Sequence, residues 1–76
     1  MKVNVCLFGP MQKYGDKDKF QMEFEEGATL ANLLDRLKIE DRIYIVILIN
    51  GRRAYDEDEP LSDGAEVLIM APTGGG

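Results

Sequence analysis

Apolar and polar residues alternate from the start of the chain, with Val3, Val5 and Leu7 interleaved between Lys2, Asn4 and Cys6. A two-residue period of this kind predicts a strand with one buried face. Pro10 can open a short helical turn through Tyr14, which Gly15 would stop. Phe20, Met22 and Phe24 then alternate with Gln21 and Glu23, predicting a second strand closed by Glu25-Glu26-Gly27. At Thr29 the period changes. Leu30, Leu33, Leu34 and Leu37 recur at helical spacing behind this N-capping threonine, while Asp35, Arg36 and Lys38 stay off the stripe. The leucines are therefore assigned to a core, pressed onto a sheet.

From Ile43 to Ile49 every position is apolar, β-branched residues dominate, and Arg42 and Asn50-Gly51 bound the run. Such a run predicts a strand covered on both faces. One helix can cover only one face of the sheet. The other face lies under the Pro10–Tyr14 segment or waits for a partner. Asn50-Gly51 is a hairpin signal, returning the chain through Arg52-Arg53-Ala54-Tyr55. Asp56 to Glu59 is expected to be a solvated acidic loop, and Pro60-Leu61-Ser62-Asp63-Gly64 a turn. In the last strand, Glu66–Met70, Val67 and Ile69 should face the helix and Leu68 and Met70 the open side. The pattern is ββαβββ, an α+β domain over residues 1–70 followed by a tail, 71–76.

That tail, Ala71-Pro72-Thr73-Gly74-Gly75-Gly76, ends in three glycines. At ordinary glycine usage, three in a row at a given place arise by chance about 3 times in 10,000. Glycine has no side chain to pack and the most conformational entropy to lose on ordering. Its physical use at a terminus is access. A ribbon without side chains can enter a channel that any Cβ would block and deliver the terminal carboxylate to chemistry at its far end. A frayed end is the plainer reading of the tail taken alone.

Composition narrows the chemistry. With 76 residues the chain is one domain, near the low end of what folds unaided. Fourteen acidic residues against nine basic ones give a net charge of -5. That balance argues against nucleic acid, whose binding relies on phosphate neutralisation by Lys and Arg, and suits a basic patch on another protein. A single cysteine, Cys6, forms no internal disulfide, which fits a reducing compartment. It is read as a small packing residue. No apolar run reaches transmembrane length, and the strand pattern begins too early for a signal peptide, so a cytoplasmic location is expected. Without histidine, Ser-His-Asp and Cys-His nucleophile systems are absent, and one chain can assemble no zinc or cysteine-ligated iron–sulfur site. A P-loop and a GxGxxG are also missing. The isolated chain is not expected to be a self-sufficient enzyme.

The element order resembles a β-grasp, the ubiquitin-like roll, with a mixed sheet and one main helix on one face. The Gly-Gly end resembles the prokaryotic sulfur-carrier family, which includes the molybdopterin synthase small subunit and the thiamine-biosynthesis carrier. Pro60-Leu61-Ser62-Asp63-Gly64-Ala65-Glu66-Val67 is close to that family's P-L-x-D-G-D-E-V, and Met1 to Pro10 is similar to the molybdopterin-type members. Ala65 replaces an acidic residue, Met70-Ala71-Pro72 replaces an aromatic and two prolines, and Gly74 adds a third glycine.

The resemblance implies that a partner enzyme uses ATP to adenylate the Gly76 carboxylate. A persulfide sulfur donor then converts it to a thiocarboxylate, and Gly75 and Gly74 carry it into a sulfur-acceptor enzyme such as the molybdopterin synthase large subunit. The chain itself is expected to bind no cofactor and no metal. Phe8, Leu48, Leu68, Met70 and Pro72, with Gly74, are the expected partner-binding residues. Three alternatives stay open: a carrier for thiamine or another sulfur-transfer pathway, a ubiquitin-like modifier conjugated through Gly76, and a plain β-grasp interaction domain.

Overall fold

The computed structural model describes residues 1–72. Strand β1, Lys2–Leu7, buries Val3, Val5 and Leu7 as its alternation requires. A 3-10 helix over Gly9–Tyr14 follows, with Pro10 in its first turn. Strand β2 is Lys19–Glu23, helix α1 is Leu30–Arg36, and strands β3, β4 and β5 are Val46–Ile49, Arg52–Ala54 and Glu66–Met70. The five strands form one sheet in the order β2-β1-β5-β3-β4. β1 and β5 are parallel, and the other neighbours are antiparallel. A mixed sheet with this order, gripping one α-helix, is the β-grasp.

The core is one cluster between α1 and the sheet. Leu30, Leu33 and Leu34 of α1 join Val3, Val5, Leu7, Ile47, Ile49, Val67 and Ile69 in it. Full burial of such a side chain contributes about 1.5–3 kcal/mol each. Met11 of the 3-10 helix is buried in the same cluster, so that segment closes the helix side and, among the described residues, leaves the opposite sheet face uncovered. Gly15, just beyond, is needed for close approach: a Cβ there would lie 2.9 Å from Phe20 Cε1 and 3.1 Å from Leu7 Cδ1.

Both ends of α1 are tied down locally. Asn32 N–H donates to Thr29 Oγ1 at 3.4 Å, and Thr29 N–H donates to Asn32 Oδ1 at 2.8 Å, a reciprocal capping box. At the other end Lys38 N–H donates to the Asp35 carbonyl and Ile39 N–H to the Leu34 carbonyl, each at 3.0 Å. These are the two bonds of a Schellman motif, and buried Ile39 supplies its apolar contact. Lys38 takes the left-handed position, at φ 61°, where glycine is usual.

The structure corrects three expectations. β3 begins at Val46, and Ile43 and Tyr44 are 82% and 71% exposed instead of forming the start of the strand. Val46 faces Met70, the last residue of β5, and Ile47 faces Ala54, the last of β4. Among the described residues, 43–45 have no strand left to pair with, and Pro72 could donate no ladder hydrogen bond. The return strand likewise stops at Ala54, leaving Tyr55 83% exposed.

The acidic loop is the third correction, because it is more than solvated. Its Glu57 and Glu59 carbonyls accept hydrogen bonds from the Ala31 and Leu30 N–H groups, at 2.8 and 2.9 Å, satisfying donors that the start of α1 leaves open. Arg42 bridges Asp35 and Glu57 at 2.6 Å each and donates to the Ile39 carbonyl at 2.7 Å. The hydrogen bond to Asp35, more than the one to Glu57, holds the Arg42 pKa above its ordinary value against the opposing effect of burial. The Asn50-Gly51 hairpin is as expected, both residues being left-handed at φ 53° and 81°.

Candidate functional site

The registers assemble the uncovered face row by row, since residues paired across strands point to the same side. Cys6 pairs with Lys19 on one side and Leu68 on the other; Leu68 pairs with Leu48, and Leu48 with Arg53. One row therefore reads Lys19, Cys6, Leu68, Leu48, Arg53, apolar in the middle with a cation at each end. The next row holds Met70 beside Val46. Phe8, whose N–H donates to the Ile69 carbonyl at 2.9 Å, extends it from the end of β1 and is 43% exposed. On the other flank stand Gln21, Asn4 and Glu66, with Gln21 Nε2 donating to Asn4 Oδ1 at 3.0 Å.

Leu48, Leu68, Met70, Val46 and Cys6 are all half-buried on this face. A shallow hollow crosses it, lined by Asn4, Cys6, Phe8, Lys19, Gln21 and Leu68 among others. Apolar residues rimmed by polar and charged ones have the composition of an interaction surface. Its position matters as much. β5 carries Leu68 and Met70 along the patch and continues into Ala71, half-buried, and Pro72, exposed.

The structure brings together Leu48 and Leu68 as direct neighbours, with Met70 and Phe8 one row on. Pro72 lies just past the end of β5. Gly74, Gly75 and Gly76 fall outside the described residues. The sequence reading missed the cationic ends of the central row, because cross-strand register decides which side chains adjoin. Arg53 had a readable signal. A two-residue Asn50-Gly51 turn pairs Ile49 with Arg52, and so Leu48 with Arg53.

The fold of the chain is similar to SAMP1, the small archaeal modifier protein 1 of Haloferax volcanii, with a TM-score of 0.84 and 21% identity over 100% of both chains. It is similar to a putative molybdopterin converting factor subunit 1 from Pyrococcus furiosus, with a TM-score of 0.80 and 26% identity over 95% of this chain and 98% of that one. A complex of subunits 1 and 2 of molybdopterin-converting factor from Helicobacter pylori provides a third likeness, at a TM-score of 0.67 and 24% identity over 100% of each chain. No curated protein sequence matches the chain. The ThiS family model matches residues 5–76, from the first strand through the terminal glycine, and on that match the chain belongs to the ThiS family.

Proposed function

We propose that this protein is a sulfur carrier whose reactive group is the Gly76 carboxylate, with molybdopterin synthesis as its pathway and the small-subunit role in molybdopterin synthase. The observation that carries the reading is the juxtaposition of an apolar, uncovered sheet face with the strand that runs on into a glycine terminus. The Pyrococcus and Helicobacter likenesses, the latter in complex with a second subunit, support the choice of pathway.

The chemistry follows from the tail. A carboxylate is a poor acyl donor, so a partner enzyme uses ATP to convert it to an acyl adenylate with loss of pyrophosphate. The terminal sulfur of a persulfide attacks the acyl carbon and AMP leaves. A second thiol then cleaves the acyl disulfide, which leaves the thiocarboxylate on Gly76 and a disulfide on the donor side. A thiocarboxylate is a soft nucleophile at neutral pH and needs no histidine. The partners supply ATP binding, activating groups and acceptor, in the cytoplasm, and this chain supplies docking and delivery through Gly75 and Gly74. Ordering each tail residue costs about 1–2 kcal/mol, which contacts through Phe8, Leu48, Leu68, Met70 and Pro72 offset.

The likeness to a small archaeal modifier protein favours one second reading, in which a lysine attacks the same adenylate and forms an isopeptide bond. Mass spectrometry of the protein recovered from cells separates the two. Sulfur in place of one oxygen on the free chain supports the carrier. Isopeptide conjugates without that species would replace it with the modifier.

A further inference from the structure

Among the described residues, strand β2 forms one edge of the sheet and pairs only with β1. Its inward bonds can be assigned from the ladder ends, because Leu7 N–H donates to the Asp18 carbonyl and Phe24 N–H to the Met1 carbonyl. By antiparallel alternation, Phe20 and Met22 also bond inward, whereas Lys19, Gln21 and Glu23 turn their backbone groups outward. Arg36 donates to the Glu23 carbonyl. The remaining outward groups, at Lys19, Gln21 and Glu23 N–H, have no bonding partner among the described residues. A row of this kind is a template for strand addition.

The order of side chains along that edge selects the partner. Set antiparallel against a copy of itself with Gln21 opposite Gln21, the strand places Lys19 opposite Glu23 of the other copy at both ends. Opposite charges paired directly across strands are stabilising. The two Gln21 residues exchange a reciprocal pair of backbone bonds. Each Glu23 N–H also reaches the Lys19 carbonyl opposite, without displacing Arg36.

We propose that β2 is a self-association edge, through which two copies form a twofold dimer centred on Gln21 with one continuous sheet. The twofold axis stands perpendicular to the sheet, so both uncovered faces stay on one side and both remain available to other partners. β1 separates the new junction from β5 in each copy.

Sedimentation velocity of the full chain over a concentration series tests this, with amide chemical shifts followed in parallel. The prediction is a monomer–dimer equilibrium in which the Lys19, Gln21 and Glu23 amides move together with concentration. Gln21→Pro removes the central donor and should abolish the dimer. Lys19→Glu and Glu23→Lys should each lower the association constant about tenfold or more, and an equimolar mixture of those two variants should restore association, because both ends then pair opposite charges. Leu68→Glu should leave the dimer unchanged. Circular dichroism confirms that each variant is folded before it is scored. A chain that stays monomeric throughout the series would overturn the proposal. So would a dimer that survives Gln21→Pro, or one lost in Leu68→Glu and retained in Gln21→Pro, which would place the junction on the uncovered face.

Discussion

Among single residues, the proposed carrier has one reactive group, the Gly76 carboxylate. Cys6 is half-buried in the central row, between Lys19 and Leu68, where a small side chain packs. Cys6→Ser should therefore gain the thiocarboxylate as readily as the natural chain; sulfur retained on Cys6 and lost in the variant would contradict this. Gly75→Ala adds a methyl group and restricts φ. It should slow sulfur transfer markedly in a reconstituted assay, with Gly74→Ala milder and neither changing the melting temperature. Lys38 carries a different prediction. Its left-handed φ costs a residue with a Cβ about 1–2 kcal/mol, part of which glycine forfeits in unfolded-chain entropy. Lys38→Gly should stabilise the fold by roughly 0.5–1 kcal/mol in urea titration. The sequence hid this site, since nothing about Lys38 in isolation marks it as a helix stop. Only the bonds to Asp35 and Leu34 do so.

Among the elements, α1 was the most legible, because four leucines at one spacing behind a threonine admit a single reading. The strands were legible wherever burial is one-sided: Val3, Val5 and Leu7 alternate because the opposite face is open. An element's extent is illegible in the sequence where it depends on the neighbouring strands. Ile43 and Tyr44 have strand-like side chains, yet β5 and β4 run out before reaching them. The acidic loop was misjudged for a related reason. Its side chains look solvated, while its carbonyls complete the N-terminus of α1. Thr29→Ala should remove one member of the capping box and cost about 1 kcal/mol by denaturant titration. A change within error would mean that the carbonyls of Glu57 and Glu59 hold the helix start by themselves.

In the molecule as a whole, the two sheet faces divide the labour. One face, with α1 and the 3-10 helix, holds the core, and the other presents Phe8, Leu48, Leu68 and Met70 within a charged and polar rim. That face was foreseeable from coverage alone, since one helix cannot bury both sides of a sheet. The cations flanking it were not, because they depend on register. Leu68→Glu should leave the isolated domain folded and weaken binding to an acceptor or activating enzyme by about 2 kcal/mol or more, measured by calorimetry. Unfolding of the free variant would show that Leu68 belongs to the core. The proposed carriage of sulfur on the last residue has a more direct test. The intact protein is incubated with an adenylating enzyme, ATP and a persulfide donor, and weighed by mass spectrometry. The expected product has one oxygen replaced by sulfur, localised by fragmentation to Gly76 and absent when ATP is withheld. An unchanged mass in the complete reaction, or sulfur localised anywhere other than Gly76, would contradict it.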